Sequence, residues 1–189
     1  MYMDKIAVGP RAKGCIDIDA PVSENLERVA KALERKVSDL TVVLLDRERH
    51  YGIMDEIRRA GARIQLITDG DVNPIVNAGI EGTGVHMYIG KGGAPEGVLA
   101  AAAIKCLGGD MQARLCPEDD EQVKRCLEMG ICDCQQVLSL DDMVKGDDCM
   151  FTATAITESN LLSGLRYFGG GVRTPVSYTH LRAHETRRH

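Results

Sequence analysis

Residues 40–45 read Leu-Thr-Val-Val-Leu-Leu, a continuous apolar, β-branched run with an aspartate on either side. A run of that length and composition suits a strand buried on both faces, and such strands sit in sheets covered by helices. The neighbouring segments agree. Residues 21–35 carry Leu26, Val29, Ala30 and Leu33 at helical spacing, with Ser23 available as a cap. Residues 50–60 place Tyr51, Met54 and Ile57 on one helical face and stop at Gly61, a good capping residue. Apolar runs at 6–10, 64–67, 85–89 and 150–156 read as strands, and residues 97–107 and 119–129 as helices. Alternation with short links predicts a layered α/β fold, a largely parallel sheet flanked by helices. No internal repeat interrupts it.

The length of 189 residues suffices for one compact domain with its own core. The formal charge of −5 opposes general nucleic-acid binding, which needs a basic face. It leaves phosphate binding open, because a few local arginines suffice. Trp is absent and aromatics are scarce, so no base-stacking platform is expected. No apolar run has the length of a membrane span, and no membrane partner is expected. The seven cysteines contain no Cys-x-x-Cys pair, and Cys132-x-Cys134 has no histidine cluster beside it. Reduced thiols in a cytoplasmic protein are the expectation.

Both ends are unusual. The chain enters its first strand abruptly, which gives the expectation of a segment from inside a longer chain. Residues 175–189 hold three of the five histidines and three arginines. They resemble translated sequencing-adapter sequence, and the expectation is a domain over 1–174 followed by a non-native tail over 175–189.

Three segments carry candidate chemistry, each just past a strand. Residues 90–98 read Gly-Lys-Gly-Gly-Ala-Pro-Glu-Gly-Val between a strand and a helix. Glycines let backbone approach an anion, and helix N-terminal amides favour negative charge there. The segment is neither a Rossmann fingerprint nor a P-loop, and a plain tight turn is the alternative. Glu96 in the first helical turn could equally be a dipole partner. Arg47-Glu48-Arg49-His50 follows the 40–45 strand, where open α/β sheets place ligands. A guanidinium there can grip phosphate bidentately, or the loop can be simply solvated. Asp69-Gly70-Asp71 could bind a cation or accept hydrogen bonds from sugar hydroxyls, or form a turn with a helix cap.

Taken together, Met1-Tyr2-Met3-Asp4-Lys5, Val8-Gly9-Pro10, Arg49-His50, Asp69-Gly70-Asp71-Val72, Gly92-Gly93-Ala94-Pro95-Glu96-Gly97-Val98, Gly109-Asp110-Met111 and Phe151-Thr152-Ala153-Thr154-Ala155-Ile156-Thr157 resemble the class II, GlpX-type fructose-1,6-bisphosphatases in order and spacing. The resemblance runs from residue 1 to about 174. It implies a truncated form of the layered α-β-α fold of the inositol monophosphatase and fructose-1,6-bisphosphatase type. It implies hydrolysis of the 1-phosphate of fructose 1,6-bisphosphate in gluconeogenesis, with Mn²⁺ or Mg²⁺, by a homo-oligomer when full length. Carried over by motif, Glu96 is a metal ligand, and Tyr2, Arg49, His50, Tyr51, Asp69, Gly70, Asp71 and Gly93 form the substrate site. In the family most metal carboxylates, with an Asp-Pro-Ile/Leu-Glu-Gly-Thr motif, lie in the N-terminal half. No catalytic residue is therefore expected within this chain, which is expected to be inactive alone. Glu81-Gly82-Thr83 mimics part of that motif without its Asp-Pro and reads as a loop. A non-catalytic phosphosugar-binding domain and another phosphatase of the same fold are the rival readings.

Overall fold

The computed structural model describes residues 1–159 and 161–181. Its centre is a five-stranded sheet built from β1 (Tyr2–Val8), β2 (Thr41–Leu45), β3 (Arg63–Ile67), β4 (Met87–Gly93) and β5 (Asp110–Cys116), in the order β3-β2-β4-β1-β5. The expected largely parallel sheet is corrected to a mixed one. β2 runs parallel to β3 and β4, but β1 is antiparallel to both β4 and β5. Strands β2 to β5 therefore point one way, and β1, an interior strand between β4 and β5, points the other. Periodicity in a single strand carries no signal for this, because pairing direction depends on how the connection returns.

Side chains alternate across the sheet as the period of two requires. Ile6, Val8, Val42, Leu44 and Met87 face α1 (Val22–Ala32) and α2 (Tyr51–Ala60), whose Leu26, Val29, Met54 and Ile57 complete one core. Ala7, Val43 and Tyr88 face the other way, against α3 (Val72–Gly79) and α4 (Ala94–Leu107). The sheet is thus covered on both faces, in the layered α/β arrangement expected.

Several local expectations need adjusting. Ser23 lies inside α1, and Pro21 occupies the cap position without a side-chain bond. The run 90–93 is not a loop beyond the strand: it forms the last residues of β4, and α4 begins at Ala94. Helix α3 and strand β5 were not read from the sequence. In β5 the signal was present, since Met111, Ala113 and Leu115 alternate with polar residues, whereas α3 is short, carries Pro74 and shows no clear helical period.

Helix α4 is apolar all round, and the fold explains it. One side lies on β1, β4 and β5, while β6 (Cys149–Thr154) and β9 (Val176–Leu181) pack on another side as a second, two-stranded antiparallel sheet. Small residues such as Ala100, Ala101 and Ala103 let it sit between two sheets, and all three are buried. A short hairpin, β7 (Arg166–Phe168) and β8 (Gly171–Arg173), separates β6 from β9. Helices α5 (Asp120–Glu128) and α6 (Leu140–Met143) lie between β5 and β6. The segment expected to be foreign supplies β9 through residue 181, and its remainder, 182–189, lies outside the described residues.

Candidate functional site

Strand direction gathers the site. The carboxyl ends of β2, β3 and β4 open on one rim, and the reversed β1 brings its first residue, Tyr2, to that same rim. A cleft of about 550 Å³ there is lined by Tyr2, Arg47, Arg49, Asp69–Asp71, Gly92, Gly93 and Glu96, with Leu45 beneath. The three candidate segments, far apart in sequence, converge on this one cleft.

The floor is a buried ion pair absent from the sequence reading. The Lys5 ammonium bonds the Asp71 carboxylate, with both side chains almost fully buried. Lys5 also donates to the carbonyl oxygen of Gly93 at 3.0 Å. The Tyr88 hydroxyl donates to Asp71 Oδ2 at 3.4 Å, and burial, then the Asp71 carboxylate, push its phenol far up, so it stays protonated. An unpaired buried charge costs several kcal/mol, at least about 3. Lys5 and Asp71 are thus each other's condition for being there. Asp71 occupies the cap position of α3 but makes no capping bond, since its carboxylate is turned to Lys5. One signal was available: Met3, Lys5 and Ala7 share a strand face, and a lysine between two apolar residues on a buried face implies a partner.

Gly92 shows why this rim is glycine-rich. A Cβ there would collide with the Asp71 carboxylate and come within 2.9 Å of Lys5 Nζ. At Gly93 the same space is filled by the Glu96 carboxylate, which folds back over the strand end. The glycines are therefore spaces for charged side chains, whatever else approaches the backbone.

Above the floor, the Arg49 guanidinium lies 5.2 Å from the centre of the Tyr2 ring and donates to the Lys91 carbonyl oxygen at 2.9 Å. Arg47 donates to the carbonyl of Asp46 at 2.8 Å. Among the described residues neither arginine pairs with a carboxylate. Asp69 accepts the Gly70 N–H at 2.9 Å, and Glu96 is exposed. The cleft therefore presents two guanidinium groups and two carboxylates without ion-pair partners.

Two expected contact residues are placed elsewhere. His50 is fully buried and does not line the cleft. Its Nδ1 lies 2.8 Å from the Leu45 carbonyl oxygen, and its Nε2 accepts the Lys91 N–H at 2.9 Å, so both nitrogens are occupied. The ring ties the end of β2 to β4, and Gly90, at φ 148°, gives it room, since a Cβ would lie 3.2 Å from the imidazole. Burial lowers the His50 pKa below its ordinary value, and Arg49 acts in the same direction. Tyr51 is exposed at the start of α2 and also lies outside the lining.

The residues do not fit a complete divalent-metal site. A hard cation such as Mg²⁺ takes about six oxygen ligands. Among the described residues no group of three His, Cys, Asp or Glu side chains comes together. Asp71 is committed to Lys5, which leaves Glu96 and Asp69 as the available carboxylates.

The layered α/β architecture is that expected of the fructose-1,6-bisphosphatase and inositol monophosphatase type of sugar phosphatase. The family model for bacterial, glpX-encoded fructose-1,6-bisphosphatase matches residues 1–189, and the chain belongs to that family. It is similar to proteins described as D-fructose 1,6-bisphosphatase class 2/sedoheptulose 1,7-bisphosphatase. One from Synechococcus sp. (strain JA-3-3Ab) is 44% identical over 186 residues, covering 92% of this chain and 54% of the relative. One from Acaryochloris marina (strain MBIC 11017) is 42% identical over 185 residues, covering 92% and 53%. The chain thus spans about half the length of the curated relatives it matches. No helix among the described residues is long and apolar enough to cross a membrane.

Proposed function

We propose that this chain supplies the sugar-phosphate-binding half of a metal-dependent ketose bisphosphatase. The complete protein adds water across the 1-phosphate ester of fructose 1,6-bisphosphate, releasing fructose 6-phosphate and inorganic phosphate as a cytoplasmic step of gluconeogenesis. The relatives' descriptions extend the substrate class to sedoheptulose 1,7-bisphosphate. The observation that carries the reading is the meeting of Arg49, Asp69, Gly93 and Glu96 on one cleft in a chain of this family.

The residue roles follow from charge and reach. Arg49, braced by Tyr2 and the Lys91 carbonyl, grips a phosphate with Arg47 beside it. Asp69 and the Gly70 turn accept hydrogen bonds from sugar hydroxyls. Gly93 and the start of α4 face the second phosphate. Asp71 acts from beneath through Lys5, holding the Gly93 carbonyl in place. His50 positions the strand ends rather than touching substrate. Glu96 is this chain's contribution to a Mn²⁺ or Mg²⁺ site whose other ligands lie outside it, in a protein that works as a homo-oligomer. In this reading 175–189 remain a non-native tail, one whose residues 176–181 nonetheless pair with β6 as β9 and which the family model runs through.

Titration of fructose 1,6-bisphosphate into the purified chain, with a phosphate-release assay in Mn²⁺, tests both halves of the proposal. Binding that Arg49→Gln weakens, without turnover, is the expected result. Absence of binding would overturn the substrate site. Turnover within a few fold of an intact family member would show that the metal ligands have been miscounted. Binding that Arg49→Gln leaves unchanged would remove Arg49 from the site, and binding without turnover in the complete, Mn²⁺-loaded protein would favour a phosphosugar-binding module.

A further inference from the structure

The opposite end of the sheet carries a second cluster of cations. A pocket of about 470 Å³ opens where β2 and β4 begin and β1 ends, lined by Arg11, Arg35, Arg63 and His86. Glu81 is the one carboxylate in that lining. Among the described residues none of the three arginines pairs with a carboxylate within 4 Å. Arg11 spends a donor on the Leu33 carbonyl and Arg63 one on the Asp39 carbonyl, which leaves most of their N–H groups free.

The hydrogen bonding of His86 points to what is wanted. Its Nδ1 accepts the Thr41 N–H at 3.0 Å. A neutral imidazole whose Nδ1 accepts carries its proton on Nε2. That Nε2 lies 3.0 Å from Nη1 of Arg35, so two N–H groups meet without an acceptor between them. Burial, then Arg35 and Arg63, lower the His86 pKa, so the ring is neutral near pH 7 and the tautomer stands. Protonation would not help, since both ring nitrogens would then donate.

An oxyanion resolves this arrangement. One oxygen placed between Arg35 and His86 accepts from both, and Arg63 and Arg11 supply further charge-assisted bonds. We infer that the pocket at the Arg11, Arg35, Arg63 and His86 cluster binds a phosphate group, either inorganic phosphate or the phosphate of a small monoester. The volume exceeds a lone phosphate, and Pro10, Ala12 and Val85 offer apolar surface to a carbon skeleton. The site is separate from the cleft: His86 precedes β4 and Gly93 ends it, about 20 Å apart at strand rise.

The test is a titration of inorganic phosphate, then of glycerol 3-phosphate, into the ¹⁵N-histidine-labelled chain at constant ionic strength and about pH 8, above the ordinary imidazole range. A saturable shift of the His86 ring signals is expected. Arg35→Gln should weaken it about tenfold, the loss of one charge-assisted bond. Arg49→Gln should leave it unchanged, which separates this pocket from the cleft and lets either fail alone. Tighter binding of the monoester identifies an esterified ligand, and equal binding identifies free phosphate. No saturable shift, an equal shift with chloride, or an Arg35→Gln chain that responds like the original would overturn the inference. Arg35 is exposed, so the variant keeps its fold, and its amide spectrum verifies that.

Discussion

Lys5 and Asp71, 66 residues apart in sequence, form a buried ion pair directly beneath Gly92 and Gly93. The pair joins the reversed strand β1 to the turn after β3 and, through the Gly93 carbonyl, to the start of α4. It ties two of the three cleft-forming segments, 69–71 and 90–98, into one object, while 47–50 is held to β4 separately through Arg49 and His50 at Lys91.

Removing one partner should therefore cost more than removing both. Lys5→Met leaves an uncompensated carboxylate, and the expected loss is about 3–5 kcal/mol. The double variant Lys5→Met, Asp71→Asn should recover part of it, because no buried charge remains. Urea denaturation of the three proteins measures this, and a double variant less stable than the single one would contradict the account.

Gly92→Ala tests the same place by volume instead of charge. Its methyl group enters the space of the Asp71 carboxylate and the Lys5 ammonium. A loss of about 1–3 kcal/mol is expected, as for overpacking elsewhere. Substrate affinity should fall as well, since the cleft floor must shift. A midpoint of unfolding equal to that of the unaltered chain would show that the strand end yields freely.

Glu96→Ala should separate activity from stability. The side chain is exposed, so unfolding free energy should change by no more than about 0.5 kcal/mol. In a complete family member carrying the equivalent change, turnover should drop about a hundredfold or more, as expected when a reacting group loses its position. Near-normal turnover at saturating Mn²⁺ would reduce Glu96 to a helix-dipole residue.

Acid should destabilise the fold through buried His50 and half-buried His86. The pKa values of His50 and His86 are lowered in the folded chain, mainly by burial. Below about pH 6.5 the unfolded chain takes up protons that the folded one refuses. Stability is thus fully present above that pH and falls as pH drops toward the folded values, by up to about 1.4 kcal/mol per unit for each histidine. Denaturation curves between pH 8 and 5 read the slope directly. A His50→Asn chain should show a shallower slope than the original, and an identical slope would remove His50 from the explanation.

The sequence alone determined the layers and the raw materials of the cleft. The apolar run at 41–45 and the helical faces of α1 and α2 are local patterns, and local patterns specify element type and which side is buried. The charged and glycine-rich segments at 47–50, 69–71 and 90–98 were visible because each lies at or just past the carboxyl end of a strand. What only the tertiary structure decided depends on non-local partners. The reversal of β1 is a matter of sheet order, which a strand's own residues do not encode. That reversal brings Tyr2 to the rim and buries Lys5 against Asp71. The side-by-side packing of β2 and β4 likewise decided that His50, placed beside Arg49 by sequence, turns inward to tie Leu45 to Lys91, because its two imidazole nitrogens meet a carbonyl and an amide there.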